Sequence, residues 1–261
     1  MARFPVRTVL LAFFGVCVTV AITVGGPTAS AETSLVVCLD PGHSLLAGGA
    51  VVEVTEGRGR NAQTTTLTEA EINLDVALAV ANDLEARFAG EPVSVLLTWG
   101  RDDGNTGRAW SATDGPASDD RAAVEARGAF CEANGATVVA SLHTNGANLP
   151  FNGTLTGYRD ADDLELAAPA HASIYAALGN EPGGKRIGGF RDFGLDHGDW
   201  WISLGAPNSA VAVFEPVLMT NDKEAARLLP SIAEAPNGRR AQIAAVEAEA
   251  IAAHLEGLLG G

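Results

Sequence analysis

Cations are scarce in this chain. Lys185 and Lys223 are the only lysines, and 17 basic residues face 32 acidic ones, for a net charge of -15. Nucleic acid and anionic membrane surfaces are therefore excluded as natural partners, since both are gripped through clustered Lys and Arg. No Walker-type loop and no Rossmann-like glycine fingerprint follows the first apolar run, so nucleotide chemistry and a nucleotide cofactor have no support. Internal repeats, coiled-coil heptads and low-complexity linkers are also missing, and no second domain is visible. The apolar run at residues 9–24 is shorter than the roughly 20 residues a membrane-spanning helix needs.

That run follows Arg3 and Arg7 and leads to Ala29-Ser30-Ala31, the layout of a secretory signal peptide over residues 1–31. A retained membrane anchor is the alternative. Removal of residues 1–31 takes Arg3 and Arg7 away and leaves residues 32–261, acidic, extracytoplasmic and monomeric by expectation, without stable membrane association. Cys17 departs with the leader, while Cys38 in an apolar strand and Cys131 near a helix end remain. An oxidising compartment allows them to pair. Cysteine in an apolar strand also behaves as a small core hydrophobe, so two buried thiols are the expectation.

The rest of the chain alternates strand and helix. Residues 35–39, 93–98, 137–142 and 210–214 are short apolar strands, and 153–159 alternates like a further one. Ile72, Val76, Val80, Leu84 and Phe88 recur every four residues and predict a helix over 68–88. Further helices are expected over 118–133, 164–178, 221–229 and 239–259. Residues 44–66 are expected to be a Gly-, Thr- and Arg-rich loop that borders the cleft and sets access to it. Residues 188–205 form a Gly-rich aromatic stretch. The implied fold is a single α/β domain, a twisted, mostly parallel or mixed sheet of about six strands with helices on both faces.

Several strands end in chemistry. Asp40-Pro41-Gly42-His43 puts a tight turn and an imidazole at a sheet edge, and His143 follows the strand at 137–142. Either histidine alone reads equally as a ligand or a hydrogen-bonded turn residue. Thr68 and Glu71 have capping-box spacing, which leaves Glu69 without a structural task beyond its favourable place in the helix dipole. Two imidazoles and a carboxylate make a catalytic three-ligand zinc site with an open fourth position. Such a site needs a proton carrier, and Glu215, straight after a strand and before Pro216, fits that need or is an ordinary strand-end charge. Asp192, Asp196, His197 and Asp199 in the aromatic stretch are placed to touch substrate, or are simply a polar loop.

Assembled, these residues resemble the zinc-dependent N-acetylmuramoyl-L-alanine amidases of the amidase-3 family, and in particular its compact single-domain actinobacterial members. The likeness rests on Asp40-Pro41-Gly42-His43, on Glu69 with Asn73, Leu74 and Ala77, on 121–126 with Gly135-Ala136, on Ser141-Leu142-His143-Thr144-Asn145, and on Glu215 with Leu218, Asn221 and Leu228. It implies that His43, Glu69 and His143 bind zinc, that Glu215 is the catalytic acid/base, and that the substrate is the muramoyl–L-alanine amide of peptidoglycan or muropeptides. Asp40 and Asn145 are candidate supports for the ligands. Pro216 departs from the family's usual pattern, in which a small or apolar residue precedes Gly-Phe. A zinc peptidase acting on the stem peptide and a non-catalytic wall-binding homologue are the rival readings.

Overall fold

The computed structural model describes residues 34–45, 49–57, 59–100, 112–113, 118–146, 151–180 and 187–260. The leader expected at 1–31 lies outside these residues, as do 101–111 and 114–117. In chain order the elements are β1 (Leu35–Pro41), β2 (Val51–Glu56), β3 (Gln63–Thr68), α1 (Glu69–Arg87), β4 (Val93–Leu97), β5 (Trp99–Gly100), β6 (Ala112–Thr113) and α2 (Arg121–Ala133). They continue as β7 (Val138–Leu142), β8 (Asn152–Tyr158), α3 (Ala161–Leu178), β9 (Phe190–His197), α4 (Trp201–Gly205), β10 (Ala210–Glu215), α5 (Asp222–Leu228) and α6 (Arg239–Gly260).

Six strands form the main sheet in the order β4-β1-β7-β10-β8-β9. The β4, β1, β7 and β10 strands run parallel, so their C-terminal ends share one edge, and β8 enters antiparallel to β10. Strand alternation sorts the core into two layers. Val37, Leu39, Ala140, Ala212 and Phe214 face the layer built by α1, α3 and α6, where Ile72, Val80, Leu166, Ile174 and Ile251 are buried. Cys38, Val139, Val211 and Val213 face the opposite layer with Cys131 of α2 and Ile202 of α4. Both faces of the parallel strands are thus covered, which is why they read as unbroken apolar runs.

Helix starts follow side-chain caps. Thr68 caps α1, its hydroxyl accepting from the Glu71 amide and donating to the Glu71 carboxylate at 2.9 Å. Asp120 caps α2 through the Ala123 amide, which delays that helix to Arg121 rather than residue 118. Asp160 likewise starts α3 at Ala161, three residues before the expected 164.

Three expectations are corrected. Much of the 44–66 loop is an antiparallel hairpin, β2 against β3, in register from Val51 with Thr68 to Glu56 with Gln63. Its side chains are mostly exposed on both faces, so no apolar alternation betrays it, and the β-branched threonines 64–66 carry the strand preference instead. The 188–205 stretch contains β9, the edge strand of the main sheet, and the short helix α4. Cys38 and Cys131 are not free thiols but a disulfide, with Cα atoms 5.6 Å apart, joining β1 to α2 across the second core layer. Among the described residues no helix is long and apolar enough to cross a membrane.

Glu247 on the core face of α6 is fully buried, and neither carboxylate oxygen has a hydrogen-bond partner. Burial pushes its pKa well above the usual carboxylate value, and the charge of Glu215 adds to that push. A carboxyl held protonated in the fold but ionised in the unfolded chain lowers stability as pH rises through and beyond the unfolded-state value. Glu247→Leu should therefore raise Tm, with a gain about 1 kcal/mol, or about 2–4 °C, greater at pH 8 than at pH 4 in thermal melts. Replacing both Cys38 and Cys131 by Ala should cost about 2–4 kcal/mol in urea unfolding, because a long loop is released.

Candidate metal and catalytic site

The site lies at the C-terminal edge of the parallel strands. The Gly42 amide donates to the Leu142 carbonyl at 2.7 Å, extending the β1–β7 pairing to the residue before His43. His43 then adopts a left-handed backbone at φ 65°, an unusual and strained conformation for a residue with a Cβ. Directly after β7, the His143 amide donates to the Phe214 carbonyl at 2.9 Å, which sets the second imidazole beside the end of β10.

Two glycines make room for these rings. A Cβ on Gly42 would lie 2.3 Å from the His143 ring, and one on Gly49, at φ 74°, would lie 2.6 Å from the His43 ring. The imidazoles consequently approach edge to face, with centroids 5.0 Å apart.

Glu69 stands between them as the first residue of α1. Its Oε2 is 3.1 Å from His43 Nε2 and its Oε1 is 3.3 Å from His143 Nδ1. The Ala50 amide also donates to Oε2 at 3.0 Å, while the Glu69 amide donates to the Ala50 carbonyl at 2.9 Å. One ligand atom from each of His43, Glu69 and His143 falls within 4.8 Å of the other two. Burial drives the Glu69 pKa up, but hydrogen bonds from both histidines outweigh it and hold the carboxyl below its ordinary value. Burial conversely pulls the His143 imidazole down, and Glu69 and Glu215 reverse this and hold it at about 9.

Asp119, Arg127 and Asn73, none of them a candidate ligand or support in the sequence, brace this group. Asp119 Oδ2 lies 3.1 Å from His43 Nδ1, and its Oδ1 lies 3.4 Å from Arg127. Asn73, one turn along α1 from Glu69, donates to the Gly42 carbonyl at 3.2 Å and accepts from the Thr144 hydroxyl at 3.1 Å. It thereby ties the turn before His43 to the residue after His143. Asp40 is fully buried and reaches neither imidazole. It accepts from Thr98 at 2.6 Å, Arg127 at 2.7 Å and Ser141 at 2.7 Å, so its link to His43 passes through Arg127 and Asp119. Asn145 is held by its backbone, its carbonyl accepting from the Met219 amide at 3.0 Å.

Glu215 ends β10. Its Oε2 is buried without a hydrogen-bond partner, and burial pushes its pKa up to about 7 against the pull of His143. Beyond it, the Thr154 hydroxyl donates to the Pro216 carbonyl at 2.9 Å and the Leu218 amide donates to Asn152 at 2.6 Å. The chain at Pro216 is thus anchored to β8.

A cavity of about 470 Å³ opens beside His43 and His143, lined also by Asp119, Arg127, Asp196, Asp199, Trp200 and Trp201. Asp192 and His197 point elsewhere in their contacts. Asp192 holds His171 at 2.8 Å, and His197 lies against Tyr158 with ring centroids 5.2 Å apart. A β-bulge in β9, where Thr154 pairs with Asp192 but Leu155 with Gly194, puts Asp192 and Asp196 on opposite faces, which no pattern in the sequence signals.

The fold has solved counterparts. An N-acetylmuramoyl-L-alanine amidase AmiC2 of Nostoc punctiforme superposes with a TM-score of 0.57 at 21% identity, covering 86% of this chain and 99% of that one. The catalytic domain of CwlV from Bacillus (Paenibacillus) polymyxa gives 0.55 at 22% identity, with 85% and 98% covered. Ami1 from Mycobacterium smegmatis gives 0.56 at 18% identity, with 87% and 100% covered. No curated protein matches at the level of sequence. Residues 37–248 match the family described as N-acetylmuramoyl-L-alanine amidase, a span that takes in His43, Glu69, His143 and Glu215; the chain belongs to the Amidase_3 family of peptidoglycan amidases.

Proposed function

We propose that this enzyme is a zinc-dependent hydrolase of the amide between the lactyl group of N-acetylmuramic acid and L-alanine, with His43, Glu69 and His143 as metal ligands and Glu215 as the acid/base. The observation that carries the reading is the convergence of two imidazoles and one carboxylate at a strand edge that also carries a buried, unpartnered Glu215 oxygen. Two nitrogens and one carboxylate oxygen are the donor set of catalytic zinc sites, and the donors here already lie close enough to share one ion. A bound zinc would polarise the scissile carbonyl and acidify water.

The chain's own residues do the rest. With its Nδ1 proton directed to Asp119, His43 is left with Nε2, the nitrogen that faces Glu69, as its donor atom. A buried polar atom without a partner is rare in native proteins and demands an explanation. Glu215 Oε2 takes a proton from the attacking water and later delivers it to the departing amine of L-alanine. A pKa raised toward neutrality suits both transfers, since acid and base forms are then within easy reach of one another. The cavity beside the histidines accommodates the sugar and peptide arms of the substrate.

We further propose that residues 1–31 are a signal peptide, that residues 32–261 are the catalytic domain, and that the mature chain acts as a monomer in the cell-wall compartment. The acidic balance and the apolar segment flanked by Arg7 and Ala29-Ser30-Ala31 support this placement.

Mass spectrometry of muropeptide digests tests the reaction. Release of the intact stem peptide from the glycan, abolished by a zinc chelator, is expected, whereas cuts within the stem would mark a peptidase. Glu215→Gln should retain zinc and lose about 10²–10⁴-fold in kcat. Wild-type turnover by that variant would remove Glu215 from its role. Asp119→Asn should weaken zinc affinity about 10–100-fold, measured by competition with a chromophoric chelator, because His43 loses its orienting carboxylate.

A further inference from the structure

The amidase reading says what bond is cut but not which wall of the cavity receives which arm of the substrate. Trp201 supplies the first clue. It is 45% exposed, and among the large apolar side chains left exposed in the described residues it lines the cavity that reaches His43 and His143. Exposed apolar area is unfavourable by about 25 cal/mol per Å², so a tryptophan kept open to a catalytic cavity calls for an occupant.

The surroundings make this wall rigid. The Trp200 ring lies so close over Gly157 that a Cβ there would come within 2.2 Å of it, and its indole N–H donates to the Asp196 carbonyl at 3.2 Å. The Trp200 carbonyl accepts from both the amide and the hydroxyl of Ser203, which starts α4 at Trp201. That short helix is pressed against α2, since a Cβ on Gly205 would fall 2.0 Å from the Glu125 carbonyl. Trp201 is thus presented from a backbone segment fixed on both sides, at Trp200 and at Gly205.

Polarity then selects the occupant. Beside the two indoles the wall carries Asp196 and Asp199, which as carboxylates only accept hydrogen bonds. The sole arginine among the described residues of the cavity, Arg127, is committed to Asp40 and Asp119. An aromatic face edged by acceptors, away from the paired Arg127, matches a pyranose ring, which offers an apolar C–H face and hydroxyl donors around it. Asp196 and Asp199 disfavour a free carboxylate at the same wall, which a neutral sugar ring does not carry.

We propose that Trp201, backed by Trp200, is a stacking platform for a sugar ring of the peptidoglycan glycan, so that the glycan arm lies along α4 and the stem peptide leaves on the other side of the histidines. The proposal rests on the amidase reading. Its test is titration of the peptide-free N-acetylglucosaminyl-N-acetylmuramic acid disaccharide into the zinc-loaded protein, followed by tryptophan fluorescence and calorimetry. Trp201→Ala should weaken the disaccharide about tenfold or more, while Trp201→Phe, which keeps a ring, should stay within about threefold of wild type.

Unchanged disaccharide affinity in a folded Trp201→Ala, checked by its melt, would overturn the platform. So would wild-type protein that binds no disaccharide at millimolar concentration, or a free stem tripeptide whose binding depends on Trp201 in the disaccharide's place. Digestion of a disaccharide-peptide separates the two readings. Amide cleavage with a Trp201-independent disaccharide removes the platform and keeps the amidase, whereas Trp201-dependent sugar binding without cleavage removes the amidase and keeps a glycan site.

Discussion

A single buried carboxylate, Asp40, organises the strand-end edge of this fold. It is fully buried on β1, and its partners come from three other segments: Thr98 just after β4, Arg127 on α2 and Ser141 on β7. Burial alone would force its proton on; the neighbouring guanidinium and the hydroxyl donors win and hold its pKa below the ordinary value. A pair of this kind contributes little net stability compared with apolar packing, yet loss of one partner typically costs about 3–5 kcal/mol because the other charge is left stranded. Its value here is geometric. It fixes α2 against the ends of β1 and β7, and α2 in turn brings Arg127 to Asp119, and Asp119 to His43.

The ligand group shows the same reliance on exclusion of alternatives. Glu69 accepts from the Ala50 amide and meets both imidazoles, and Asn73 bridges the Gly42 carbonyl and the Thr144 hydroxyl from one turn further along the helix. Together the two residues make the first turns of α1 a rigid bracket across the ends of β1 and β7. The strained backbone at His43 and the crowded glycines at 42 and 49 are the steric counterpart of that bracket.

Much of this was legible in the chain, for identifiable reasons. His43, His143 and Glu215 follow apolar runs, and a strand buried on both faces announces its own end. Glu69 was separable from Glu71 because Thr68 and Glu71 satisfy a cap, a rule local to four residues. What stayed hidden depends on distant pairing. Asp119 meets His43 across 76 positions and Arg127 meets Asp40 across 87, and nothing in either neighbourhood marks the partner. The disulfide was open for the same reason, since Cys38 and Cys131 are 93 residues apart and come together only when α2 packs on β1. β2, β3 and β9 were missed because their side chains are mostly solvated, which erases the alternation on which strand reading depends.

The hairpin between the first histidine and Glu69 is closed at its base. The Ala50 carbonyl and amide each bond to Glu69, so the β2–β3 hairpin begins and ends at one pair of residues, with Leu67 anchoring its base in the core. Strain or extra length within that excursion has no direct path into the ligand geometry, and added loop length raises closure entropy only logarithmically. Chain length within the hairpin can therefore change while Glu69 stays in place, making it the part of this sheet edge most open to divergence.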